Sequence, residues 1–168
     1  AAEGAWRVLG NLPYNVASRI IWDMAPRMAG LSCAVFMVQL EVAERLRAEP
    51  GGKVYGALGA WVQAFCRVRL LFKVGPHLFR PRPKVESAVV RLEARAPRAH
   101  AAPPERLAGI IRQAFQNRRK QLPGALGPLW TPAMAGLLEQ LGIPSTIRPE
   151  RLSSDLFWAL AEAKTPES

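Results

Sequence analysis

The chain has 168 residues, 49% of them hydrophobic, with 23 Lys and Arg against 13 Asp and Glu, giving a formal charge of +10 at pH 7. That length and apolar share can bury one sizeable core with room for a small appended unit, which excludes a disordered chain. No apolar run nears the ~18 residues a membrane span needs, and no charged-then-apolar leader opens the sequence, so the reading is a cytoplasmic protein with no membrane partner.

Residues 6–10 are short and apolar and run into Asn11-Leu12-Pro13-Tyr14, where proline forbids continuing either strand or helix. The spacing of Val16, Ile20, Ile21, Met24 and Met28 then predicts a helix over 16–28, with Asn15 available as its cap. Residues 31–40 are nearly all apolar, as in a strand buried on both faces of a parallel sheet. Glu41 and Arg45 follow at i,i+4 spacing in a second helix that stops at Pro50-Gly51-Gly52.

Residues 55–66 are helix-compatible. Arg67-Val68-Arg69-Leu70 and 88–93 alternate with period two, as strands do. They bracket the proline-punctuated loop 75–83, so the two strands are expected to pair antiparallel. The Ala-, Pro- and Arg-rich stretch 94–104 has no periodic apolar pattern and reads as a linker, which divides the chain into 1–96 and a helical unit over 103–168. There, Leu107, Ile110, Ile111, Ala114, Phe115 and Leu122 form one stripe that ends at Pro123-Gly124. Thr131-Pro132 opens another helix, with Met134, Leu137, Leu138 and Leu141 facing the core and Gly142 stopping it. Ser153 or Ser154 caps a last helix through Leu156, Phe157 and Leu160.

Chemistry-bearing residues are few. Cys33 and Cys66 lie in apolar stretches without metal-ligand spacing, so they read as buried reduced thiols and no metal is expected. His77 and His100 are isolated. The charge, by contrast, is patterned. No acid lies between Glu49 and Glu86, while Lys53, Arg67, Arg69, Lys73, Arg80, Arg82 and Lys84 all do, and Arg118-Arg119-Lys120 form a second cluster. Such surfaces favour a polyanion, because neutralising phosphates releases condensed counterions.

Asn11-Leu12-Pro13-Tyr14 sits at the carboxyl end of a strand, where an open α/β sheet places its ligands. After it come Phe-Met-Val-Gln-Leu-Glu-Val-Ala-Glu-Arg-Leu at 36–46 and Phe-Arg-Pro-Arg-Pro-Lys-Val-Glu-Ser at 79–87. Phe-Gln-Asn-Arg-Arg-Lys-Gln-Leu at 115–122, Leu-Glu-Gln-Leu-Gly-Ile at 138–143 and Arg-Pro-Glu-Arg-Leu at 148–152 complete the series. In this order they resemble the small-subunit rRNA adenine N6,N6-dimethyltransferases, the kasugamycin-resistance methylase family, over nearly the whole chain.

The resemblance implies the C-terminal half of a Rossmann-like class I methyltransferase sheet, an α/β fold, followed by a small all-helical domain. It implies dimethylation of N6 of adenines in a loop of 16S rRNA during ribosome biogenesis, with S-adenosyl-L-methionine as cofactor and the pre-ribosomal small subunit as partner. The full-length enzyme is expected to be a monomer. The amine acceptors map to Asn11 and the Pro13 carbonyl, with Leu12 between them. The base-stacking faces map to Tyr14 and Phe79, and the cofactor contact maps to Asn11. Arg80, Arg82, Lys84, Arg118, Arg119 and Lys120 are the expected RNA contacts. For Gln39, Glu41 and Arg45 a structural role is expected.

The family's glycine-rich loop and its acidic residue for the cofactor ribose have no counterpart here, so the chain reads as a fragment beginning just before a fourth strand. On that reading it binds the cofactor weakly alone and exposes an apolar sheet edge. Two alternatives stand beside it. One is an erythromycin-resistance type 23S rRNA methylase; the other is a non-catalytic RNA-binding ribosome assembly or transcription factor of the same fold.

Overall fold

The computed structural model describes residues 6–96 and 100–163. β1 (Trp6–Asn11) and β2 (Leu31–Gln39) run parallel, joined by α1 (Ala17–Met24) and a 3-10 segment, Ala25–Gly30. The α-helix ends where it does because Pro26 brings no N–H to the ladder. Asn15 does not cap it. The N–H groups of Val16 and Ala17 instead both bond the Pro13 carbonyl, at 3.1 and 3.0 Å.

After β2 the chain forms α2 (Leu40–Arg47) and α3 (Ala57–Phe65), and then the expected antiparallel pair, β3 (Cys66–Val74) and β4 (Ser87–Ala94). β4 inserts between β3 and β2, so the sheet order is β1-β2-β4-β3, with β4 antiparallel to both neighbours. β2 is not buried on both faces as its composition suggested. Ala34, Phe36 and Val38 are buried while Val35 and Met37 are half-exposed, because the helices cover one face of the sheet. The β1 edge exposes Trp6 and Leu9, at 76% and 77%. That is the apolar edge expected from the sequence.

The remaining helices are α4 (Pro104–Gln116), α5 (Leu122–Leu126), α6 (Pro132–Gln140) and α7 (Ser154–Glu162). Pro123 opens α5 rather than closing the preceding helix, since a proline costs nothing in a first turn whose N–H groups lack partners anyway. α4 has already ended at Gln116. Thr131 and Ser153 cap α6 and α7 by accepting from the N–H groups of Met134 and Leu156. Gly142 takes a left-handed φ of 66° to end α6, but Leu141 points outward at 53% exposure instead of facing the core.

Sheet and helices share one apolar cluster, in which Phe36 and Val90 join Leu107, Ile111, Phe157 and Leu160. A run of rings threads it: Trp22 stacks on Trp61 at 4.8 Å, Trp61 meets Phe65 edge-on at 4.8 Å, and Phe65 meets Trp158 at 5.7 Å. Beside them, Tyr55 packs edge-on against Phe115 and donates its hydroxyl to the Leu152 carbonyl at 2.9 Å. Both cysteines are buried and unpaired with each other, and burial pushes the Cys66 thiol up to about 12. His100 stacks on Trp158 and bonds Glu162 at 2.8 Å, a structural role. Among the described residues no cluster could hold a metal, and no helix is long and apolar enough to cross a membrane.

Candidate active site

β1 ends at Asn11, the register partner of Met37, and the last ladder bond runs from the Leu12 N–H to the Met37 carbonyl at 3.2 Å. Pro13 has no N–H to extend the ladder, so the chain leaves the sheet there and turns into α1. This leaves the Asn11 side chain exposed at the carboxyl end of the strand. The second arm is the loop between β3 and β4. A 3-10 turn, Pro76–Leu78, is closed by Leu78 N–H to Gly75 O at 3.2 Å and Phe79 N–H to Pro76 O at 3.3 Å, and it carries Phe79. The Arg80–Pro81 peptide is cis. The loop returns to the sheet through Glu86, whose carbonyl accepts the N–H of Leu40 at 2.9 Å.

The two arms enclose a cleft of about 300 Å³ lined by Asn11, Leu12, Pro13, Tyr14, Phe79, Pro81 and Pro83. The five residues expected to act on a base therefore lie around one opening, although 65 positions separate Tyr14 from Phe79 in sequence (79 − 14). Tyr14 is held by a 2.6 Å hydrogen bond between its hydroxyl and that of Ser87, which is fully buried at the start of β4.

One assigned role needs correction. The Pro13 carbonyl already accepts two N–H groups from the start of α1, which uses both its lone pairs. Its neighbour, the Leu12 carbonyl, accepts no hydrogen bond among the described residues. The free backbone acceptor beside Asn11 is thus Leu12. Ser87, Pro81 and Pro83 were not singled out from sequence; all three stand within the 79–87 motif, where prolines bordering an aromatic were the available signal for a wall.

Arg80, Arg82 and Lys84 are exposed on the same loop as Phe79. Arg118, Arg119 and Lys120 are exposed just after α4 and do not line the cleft, and Arg118 pairs with Glu150 at 3.3 Å. Glu41 and Arg45 form an exposed ion pair with each other along α2. Of the residues around the cleft, Asn11 alone offers an uncommitted polar side chain. It could hold one group of a cofactor, and the rest of such a molecule would need further donors.

The chain matches the family model described as ribosomal RNA adenine dimethylase over residues 2–164. It is 50% identical over 162 residues to a ribosomal RNA small subunit methyltransferase A of Nitratidesulfovibrio vulgaris, covering 96% of this chain and 61% of that protein. A protein of the same name from Lawsonia intracellularis is 46% identical over 159 residues, with 95% and 59% covered. The chain thus spans less than two thirds of these relatives. Among solved structures, a dimethyladenosine transferase from Plasmodium falciparum superposes with a TM-score of 0.79 at 24% identity, covering 95% of this chain and 68% of that one. The 23S rRNA methyltransferase ErmE superposes at 0.64 with 22% identity, covering 96% and 67%. Both share the Rossmann-like α/β methyltransferase fold.

Proposed function

The chain belongs to the ribosomal RNA adenine dimethylase family, and from that premise we propose that the whole protein adds two methyl groups in succession to N6 of adenines in a looped segment of small-subunit 16S rRNA. Its substrate would be the pre-ribosomal small subunit, met by a cytoplasmic monomer. Relatives at 43% identity and above carry the small-subunit name, whereas the resemblance to the 23S enzyme rests on fold.

Proteins of this family use S-adenosylmethionine, which when bound supplies an electrophilic methyl group carried on a sulfonium. The work of this chain is to present the nucleophile. The adenine amine is a poor one because its lone pair is delocalised into the ring. The Asn11 side-chain oxygen and the Leu12 carbonyl accept its two hydrogens, which favours a pyramidal nitrogen whose lone pair points away from both acceptors. Asn11 also stands where the methyl donor would touch this chain. Tyr14 and Phe79 grip the extruded base from opposite faces, and Pro81 and Pro83 narrow the opening against water.

Magnitudes favour this division of labour. Extruding a base costs a few kcal/mol, less in an unpaired loop. Stacking returns on the order of 1–3 kcal/mol per aromatic face, so two rings offset it. Arg80, Arg82 and Lys84 flank the cleft and would hold phosphates on either side of the target, while Arg118, Arg119 and Lys120 would grip RNA shape farther away.

The observation that carries the reading is the convergence of Asn11, Leu12, Tyr14 and Phe79 on one cleft. Methyl transfer by the full-length protein to undermethylated small subunits, compared with Asn11→Ala, tests it. The variant should lose roughly 10²-fold or more in kcat at unchanged melting temperature. Equal activity in both proteins would remove the mechanism, and no activity in either would point to a binding role.

A further inference from the structure

We propose that Ser87 is a positioning residue for the base-gripping pair, acting through the hydroxyl of Tyr14. The inference deepens the adenine-methylating reading and rests on it. A tyrosine ring anchored only at Cβ can swing about χ1 and χ2, and Tyr14 is half-buried just beyond the end of β1. The 2.6 Å bond to Ser87 fixes the far end of the ring as well. Two fixed points define the direction in which its face is presented.

Ser87 is suited to be the fixed point. It is fully buried, and its backbone is held on both sides, with Gln39 of β2 and Val74 of β3 as register partners. It is also the residue at which the Phe79-bearing loop re-enters the sheet, one position after the Glu86 carbonyl is tied to α2. A single hydroxyl pair thereby sets the position of one stacking ring against the strand from which the other is suspended. No other hydrogen bond among the described residues joins the 11–14 segment to the 75–87 segment. A serine hydroxyl can instead bond nearby backbone, as that of the exposed Ser153 does at the start of α7.

The second methyl transfer must reseat a base whose amine has grown by one methyl group, so it tolerates less play between the rings than the first. Loss of the tether therefore acts on the ratio of products as well as on rate.

The test uses full-length protein with Ser87→Ala, Tyr14→Phe and the double variant, each of which keeps the ring and the strand. RNA carrying 2-aminopurine at the target adenine reports stacking, and undermethylated small subunits report turnover. Each single variant should lower kcat about tenfold, leave KM for S-adenosylmethionine unchanged, raise the share of monomethyl product and weaken quenching of the 2-aminopurine. The double variant should be no worse than either single one. Wild-type activity reads the parent proposal separately. With an active wild type, variants that melt earlier but keep its kcat, product ratio and quenching would show the bond to be structural and overturn the inference. Additive losses in the double variant would overturn it too.

Discussion

Two tyrosines are tethered through their hydroxyls in this chain, and they end in opposite places. Tyr55 is fully buried, bonded to the Leu152 carbonyl and packed against Phe115, which in turn meets Phe157 at 5.8 Å. Tyr14 is bonded to Ser87 and has one side toward a cleft. In the first region the polar tip lets an aromatic ring be buried with no orphaned group. In the second, the same chemistry fixes the tip of a ring that stays half-buried at the wall of an opening. An aromatic residue that the fold restrains short of the core is available to something else.

The sharpest way to separate the two regions is to remove a ring from each. Phe157→Ala in the closed cluster should cost about 3–5 kcal/mol of stability, measured by denaturant unfolding, because it leaves a cavity in a packed core. Phe79→Ala at the cleft should change the free energy of unfolding by no more than about 0.5 kcal/mol. It should weaken binding of an RNA loop by roughly tenfold, read by fluorescence anisotropy, as expected for about 1–3 kcal/mol of lost stacking. If Phe79→Ala unfolds the protein as badly as Phe157→Ala does, the distinction between closed and open regions is lost.

A smaller effect distinguishes the tethers. Tyr55→Phe should cost about 1 kcal/mol near neutral pH, since the Leu152 carbonyl loses its donor. Burial pushes the Tyr55 phenol above its ordinary value of 10.0, so the stability tied to its neutral form is complete below pH 10 and is lost as pH rises from there. The gap between wild type and Tyr55→Phe should therefore narrow above pH 10. Cys66, pushed from 9.0 to about 12, destabilises both proteins alike from pH 9 upward and cancels in the comparison. A gap that stays constant to pH 11 would mean that Tyr55 is wetter than its packing implies.

Much of this was legible in the sequence, for identifiable reasons. Period-two alternation located β3 and β4, and the proline at position 13 located the end of β1, because both signals are local. The one-faced burial of β2 was not legible, since composition alone does not tell whether helices cover one face or two. Pro123 misled because a proline marks a helix start as readily as a stop, and only the earlier end of α4 at Gln116 decides which. At the cleft, residue types were readable but hydrogen-bond commitments were not. The Pro13 carbonyl is spent on α1, and Ser87 reaches Tyr14 across 73 positions. Neither fact has a trace in spacing.

The walls of the cleft contain no tryptophan, while Trp22, Trp61 and Trp158 are threaded through the core. Optically, the opening is therefore dark and the interior bright. A fluorescent nucleobase in the cleft can be excited beyond the tyrosine band with little direct protein emission from its walls, and a change in indole emission when RNA arrives reports tryptophans elsewhere, those of the core and Trp6 on the exposed sheet edge. One sample thus carries two independent colours, one for occupancy of the cleft and one for the response of the scaffold behind it.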